Sequence, residues 1–169
     1  AEYVELVTII STSTLKSLPT LYERLGNSDS ISIAIEVLVN LTENGYVQDD
    51  ETISYLLSSL TLILESNKNV NNPKIITKML NVLKTLIPVS TMPFSDLESL
   101  FRTLSGFYQT CADKETRLGV NDVLSAFSER FDELEKVASL MKSLNSYSNR
   151  RIQEYDFPVM LSAFKKFTE

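Results

Sequence analysis

Asp29-Ser30-Ile31-Ser32-Ile33-Ala34-Ile35-Glu36-Val37-Leu38-Val39-Asn40-Leu41-Thr42-Glu43-Asn44-Gly45 supports two readings, and the choice between them decides the fold class. Ile31, Ile33, Ile35, Val37 and Val39 alternate as a half-buried strand would. The same stretch carries a helical stripe through Ile31, Ala34, Ile35, Leu38 and Leu41. Length settles it. About fifteen residues between a capping residue (Asp29 or Ser30) and Gly45 exceed an ordinary strand, and no partner strand is visible elsewhere. The segment is expected to be helical, which makes the chain all-α.

Working outward, apolar residues keep helical spacing along nearly the whole chain. One stripe runs through Ile53, Leu56, Leu57, Leu60, Ile63 and Leu64, and the next through Ile76, Met79, Leu80, Leu83 and Leu86. Phe94, Leu97, Phe101, Leu104 and Tyr108 follow, then Val120, Val123, Leu124, Phe127 and Phe131. The last two are Leu134, Val137, Met141 and Leu144, and Phe157, Met160, Leu161 and Phe164. All six are expected to be core. N-caps are expected at Asp29 or Ser30, Asp50, Asn72, Ser95, Asp113 and Asp156, with Pro73 and Pro158 in first turns. Gly26 and Gly45 are expected to stop helices, and Pro88 and Pro93 to bracket a short connection.

The helices centre near residues 37, 58, 80, 101, 122, 139 and 162, so two steps cover about 42 residues, the period of HEAT or armadillo-like helix pairs. Such pairs cannot bury their apolar faces alone and stack into an open superhelix. The expected architecture is an α-solenoid of antiparallel helix pairs, with a further pair over Tyr3 to Leu25. A closed helical bundle is the competing arrangement, but it requires no even spacing. Residues 1–169 are expected to form a single helical repeat domain. The start at Ala1, straight into apolar periodicity, suggests a piece of a much longer repeat protein.

Composition excludes most chemistry. The chain has no histidine, one cysteine and four scattered glycines. That removes imidazole-based triads, thiolate zinc sites and phosphate-cradling loops, so no metal, cofactor or small-molecule substrate is expected. Asp49-Asp50-Glu51 is an acidic helix start, not a calcium loop. Cys111 is expected to be a half-buried structural thiol, and the sequon Asn40-Leu41-Thr42 a chance occurrence inside a helix. Carboxylate hydrolysis by Asp132, Glu133 and Glu135 is the one enzymatic reading left, against a solvated helix junction. No enzyme is expected. No apolar run is long enough to cross a bilayer, and no membrane association is expected.

The net charge of −6 is uneven, with twelve acids against seven bases in residues 1–110 and six of each in residues 132–169. A broad acidic surface repels phosphate backbones, which leaves any nucleic-acid contact to the C-terminal part. There the junction Leu144–Phe157 crowds two tyrosines, two arginines and two acids between helices. Tyr147, Tyr155 and Phe157 are expected to fold back on the last stripes, with Asn145 bonding backbone locally. Arg150 and Arg151 would project outward beside Glu154 and Asp156, and Lys165 and Lys166 follow on the last helix. These four bases are the candidates for contact with RNA or an acidic partner. In Asp113-Lys114-Glu115-Thr116-Arg117, Asp113 and Arg117 suit either a bridge to a neighbouring repeat or a surface i,i+4 pair worth about 0.2–0.5 kcal/mol.

Leu144-Asn145-Ser146-Tyr147-Ser148-Asn149-Arg150-Arg151-Ile152-Gln153-Glu154-Tyr155-Asp156-Phe157, followed by Leu161-Ser162-Ala163-Phe164, resembles the signature region of the down-regulated-in-metastasis (DRIM) family. The wording at Asn145, Tyr147, Glu154, Asp156 and Phe157 carries the likeness, which is strongest over residues 113–169. Ile152-Gln153-Glu154 and Met160 depart from the family's usual leucine-acid-acid turn and arginine. The family comprises very long HEAT-repeat proteins of the nucleolar small-subunit processome, associated with the U-three small nucleolar ribonucleoprotein. The resemblance implies a non-catalytic scaffold in pre-ribosomal RNA processing and small ribosomal subunit biogenesis. It implies a nucleolar location, with processome proteins, and pre-ribosomal or small nucleolar RNA, as partners. A HEAT-type adaptor in transport, coat assembly or the cytoskeleton is the alternative.

Overall fold

A computed structural model of the chain describes residues 29–66, 73–148 and 154–167. Seven α-helices follow one another: α1 (Asp29–Glu43), α2 (Asp50–Ser66), α3 (Pro73–Leu86), α4 (Phe94–Thr110), α5 (Lys114–Arg130), α6 (Glu135–Leu144) and α7 (Phe157–Phe167). A 3₁₀ turn, Asp132–Leu134, joins α5 to α6. Among the described residues the only β pairing is an isolated antiparallel bridge between Tyr147 and Tyr155. The protein is all-α, and the ambiguous 29–43 segment is a helix with Ile35 and Leu38 buried. The helical pair expected over Tyr3–Leu25, the stop at Gly26 and the cap at Asn72 lie outside the described residues.

Helix ends follow local chemistry. At the end of α1, Gly45 takes φ +70°, where its amide bonds Thr42 O at 3.0 Å and Tyr46 N–H bonds Leu41 O at 2.9 Å. This double closure needs a left-handed residue, which glycine adopts without a Cβ clash. Asp113 caps α5 by accepting from Thr116 N–H and from the Thr116 hydroxyl, both at 2.8 Å. Asp156 caps α7 through Val159 N–H at 3.3 Å. Two expected caps move. Asp49, not Asp50, caps α2, its carboxylate taking the Thr52 amide at 2.8 Å. Burial pushes the Asp49 carboxyl up, but its hydrogen bonds with Thr52 outweigh that and hold it below the ordinary value. Ser95 lies inside the first turn of α4, whose cap position is Pro93, and its hydroxyl turns to the Asp96 carboxylate.

The helices lie in two rows. Helices α1, α3 and α5 pack side by side, α2 packs on α4, and the rows are tied by α2 against α3 and α4 against α5. Helices α3 and α5 come close together, and a Cβ on Gly119 would sit 2.9 Å from Leu80 Cδ1. Between α4 and α5, Phe94, Phe101, Phe127 and Phe131 meet with centroids 5.4–6.5 Å apart, mostly edge to face, which suits the ring quadrupoles. Outside the longer row, Lys78 pairs with Glu36 of α1 at 3.0 Å and Lys84 with Asp122 of α5 at 2.9 Å. Two of the three lysines of α3 are thus paired with acids, one on each side.

Beyond α5 the stacking changes. Helix α6 packs on α5 but not on α4, and α7 packs on α6 but not on α5. The expected core stripe of α7 is not buried. Phe157, Leu161 and Phe164 are 67%, 59% and 55% exposed, and Val137 of α6 is also exposed. The reason is the helix's rotation: α7 turns its small residues toward α6, with Ala163 buried. Apolar periodicity reports that a face exists and is silent on which way it points.

Candidate interaction site at the α6–α7 junction

The junction is held by α5. Arg117 donates from Nε to Cys111 O at 2.7 Å, from Nη2 to Tyr108 O at 2.6 Å and from Nη1 to Asn145 Oδ1 at 2.8 Å. Tyr108 and Cys111 end α4, whose last carbonyls have no partner within their own helix. Asn145 follows α6, is buried, and returns its amide to Met141 O at 2.9 Å. One guanidinium therefore ties three helix termini together. Arg117 thus bridges to the next helix through Asn145 rather than pairing with Asp113, which caps α5 instead. At the other end of α5, Arg130 repeats the device, bonding Ile87 O at 3.3 Å and Met92 O while lying 4.7 Å from the Phe131 ring centroid. Burial lowers its pKa from the ordinary arginine value.

The Tyr147 and Tyr155 rings stack, 4.7 Å between centroids and 23° between planes. The Lys114 ammonium lies 5.1 Å from the Tyr147 centroid and the Arg117 guanidinium 5.9 Å from that of Tyr155. Ring faces carry negative quadrupole potential, so a cation adds attraction to each. Backbone bonds flank the Tyr147–Tyr155 bridge: Ser148 N–H to Glu154 O at 2.8 Å and Asp156 N–H to Ser146 O at 3.0 Å. Burial, reinforced by the adjacent Tyr155, pushes the Tyr147 hydroxyl up to about 12. Burial likewise raises Tyr108, whose hydroxyl donates to Asn121 Oδ1.

Asn145 makes the local backbone bond its position suggests. Tyr147 and Tyr155 fold against α5 and each other rather than against the last stripes, and Phe157 points to solvent. Arg150 and Arg151 lie outside the described residues. Lys165 and Lys166 are exposed on α7, and neighbours on a helix diverge by about 100°. Only Lys166 lines the open groove of about 760 Å³ between α6 and α7, with Glu135, Lys136, Ser139, Leu140 and Val159 among its walls. Lys136 is the base that sequence reasoning missed. Asp132, Glu133 and Glu135 are all exposed, and of the three Glu135 alone lines that groove, so no pair of these acids converges there. Cys111 is a half-buried free thiol. Among the described residues no cluster of three metal-ligating side chains occurs, and no helix is long and apolar enough to cross a membrane.

The whole chain, residues 1–169, matches the family model described as U3 small nucleolar RNA-associated protein 20, N-terminal. It is 40% identical over 167 residues to the U3 small nucleolar RNA-associated protein 20 of Saccharomyces cerevisiae, covering 99% of this chain and 7% of that protein. It is 29% identical over 127 residues to the Schizosaccharomyces pombe protein of the same name, covering 73% of this chain and 5% of that protein. The likeness read at residues 113–169 therefore extends through residues 1–110, and the chain spans only a small part of these relatives. The clamped junction and the helices that support it are a segment of the U3 small nucleolar RNA-associated protein 20 (DRIM) family, to which this chain belongs.

Proposed function

We propose that this chain is a non-catalytic scaffold segment of a small-subunit processome component, acting in pre-ribosomal RNA processing in the nucleolus. Side-by-side packing of every second helix, α1 on α3 on α5 and α2 on α4, is the observation that carries the reading. It supports an α-solenoid of HEAT-like pairs, an architecture that grows along one axis and exposes long lateral surfaces. Membership of a family named for association with U3 small nucleolar RNA supports the setting. The single domain over residues 1–169 is one stretch of that array. Its partners are processome proteins, with pre-ribosomal or small nucleolar RNA reached through Arg150, Arg151, Lys165 and Lys166.

Purification of the tagged full-length protein is expected to bring U3 small nucleolar RNA and processome proteins. Recovery of transport, coat or cytoskeletal factors instead would favour the adaptor reading. For the four bases, an electrophoretic shift series compares the protein with its quadruple alanine variant. Each lost phosphate contact should flatten the log-affinity against log-salt slope by about 0.7 to 0.9. Unchanged affinity and slope would remove the four residues from any RNA site.

A further inference from the structure

The groove between α6 and α7 gathers two lysines at one end. Its other end is the junction, where Asp156 N–H bonds Ser146 O at 3.0 Å and holds the end of α6 against the start of α7. From that joined end both helices wall the same groove. Lys136 stands eight residues before Leu144, and Lys166 nine residues after Phe157, about 12–14 Å along each helix. Their ammoniums therefore fall together at the far end. Among the described residues neither has an ion-pair partner, although Glu135 lines the groove beside them. Between the ends, Leu140, Val159 and Ala163 give the groove apolar lining, and Ser139, Ser143 and Ser162 place hydroxyls along it. The Ser143 hydroxyl donates to Ser139 O at 2.9 Å and keeps its lone pairs, while those of Ser139 and Ser162 have no partner among the described residues.

These groups discriminate between occupants. A helix satisfies its own backbone and needs large apolar contacts from a groove, whereas an extended chain brings free N–H and C=O groups that hydroxyls can meet. A nucleic-acid strand brings a phosphate with every nucleotide and bases that stack on aromatic rings. The lining holds no aromatic side chain and no arginine, and its two lysines and one glutamate sum to a single positive charge. One carboxylate matches that charge; a run of phosphates does not. About 12 Å of groove takes about four extended residues.

We propose that the groove receives a short, extended, mainly apolar segment of another protein, with an Asp or Glu side chain seated between Lys136 and Lys166. The inference rests on the proposed reading of the chain as an interaction scaffold. It adds the surface, the class of ligand and the end at which its acid sits, and it moves Lys166 from RNA contact to protein contact. So small a contact is one part of a larger interface, not a stable complex by itself.

Carbodiimide joins an amine to a carboxylate only where the two touch, because the amide it forms contains no spacer. The test applies it to the assembly purified on tagged full-length protein, with the Lys84–Asp122 pair at 2.9 Å as internal control. The expected result is a crosslink from Lys136 or Lys166 to an Asp or Glu within an apolar stretch of another protein. Ser162→Trp, at an exposed position of the groove wall, should lower that yield severalfold and leave the Lys84–Asp122 product unchanged. An undiminished yield in Ser162→Trp would put the contact outside the groove and overturn the proposal. So would lysine products confined to acids of this same sequence, from one copy or two, or a Lys84–Asp122 product with none at Lys136 and Lys166. Ultraviolet crosslinks of RNA to either lysine's peptide would make a nucleic acid the occupant and overturn it as well. Any of these, with U3 small nucleolar RNA and processome proteins still recovered, sinks this inference and leaves the scaffold reading standing. The expected crosslink in an assembly of transport or coat proteins would do the reverse.

Discussion

At the scale of single residues, the distinguishing feature is one arginine that bonds two carbonyls at the end of α4 and the Asn145 side chain at the end of α6. Removing the Arg117 guanidinium leaves Tyr108 O, Cys111 O and Asn145 Oδ1 without their donors. Arg117→Ala is expected to cost about 2–3 kcal/mol in denaturant unfolding, since bonds to charged groups are each worth about 1.5–3 kcal/mol and part is recovered from water. Arg117→Lys should rescue little, because an ammonium cannot reproduce the planar fork. The same variant should loosen the Tyr147–Tyr155 bridge, read as faster amide exchange at Ser148 and Asp156. A stability loss without faster exchange there would mean that the guanidinium does not hold the bridge. Capping gives a second comparison. Asp49→Ala should lose about 1 kcal/mol and Asp50→Ala only a few tenths, because Asp49 takes the orphan amide and Asp50 has only the helix dipole. The tyrosines give a pH test. Their folded pKa values lie above the unfolded ones, so unfolded chains release protons first as pH rises. Stability should hold below about pH 10 and fall between there and about 12, with absorbance at 295 nm showing Tyr147 ionising late.

At the scale of elements, two glycines in neighbouring helices separate propensity from packing. Gly106 in α4 has nothing within 4 Å of the position a Cβ would take, whereas Gly119 in α5 meets buried Leu80. Gly106→Ala should therefore stabilise by up to about 1 kcal/mol. Gly119→Ala has the same propensity gain but must displace Leu80 in a packed core, which typically costs 1–3 kcal/mol. The net expectation is a loss of up to about 2 kcal/mol, read as a lower midpoint in a urea titration. Equal gains at both positions would refute the close α3–α5 approach. Most of the element scale was legible in advance. The helices lie where the stripes and caps put them, because a 3.6-residue period and a short polar capping side chain act locally. Asp49 and Ser95 were misassigned because several polar residues cluster at those starts, and only backbone geometry shows which one stands half outside the helix.

At the scale of the whole molecule, each helix meets few others, so stability should be distributed unevenly along the array. Among the described helices α7 touches only α6, whereas α3 is enclosed by α1, α2 and α5. In the isolated 169-residue chain, amide exchange should be fastest through α7, slower in α6 and slowest in α3 and α5. Uniform exchange in the isolated chain would mean one cooperative unit and would remove the basis for treating the helices as a stacked row.

The amino-acid sequence alone determined that the chain is all-α and which stretches are helical, and it removed imidazole-based triads and thiolate zinc sites. Those properties depend on residue type and on neighbours within a few positions. Tertiary structure alone decided the partners of Arg117, which lie six, nine and 28 residues away. It alone decided the change of stacking after α5 and the outward turn of α7. The physical reason is that an apolar stripe gains the same free energy against any apolar neighbour. Which neighbour it finds, and which side it turns, is set by the rigid-body placement of helices that the chain brings together from far apart.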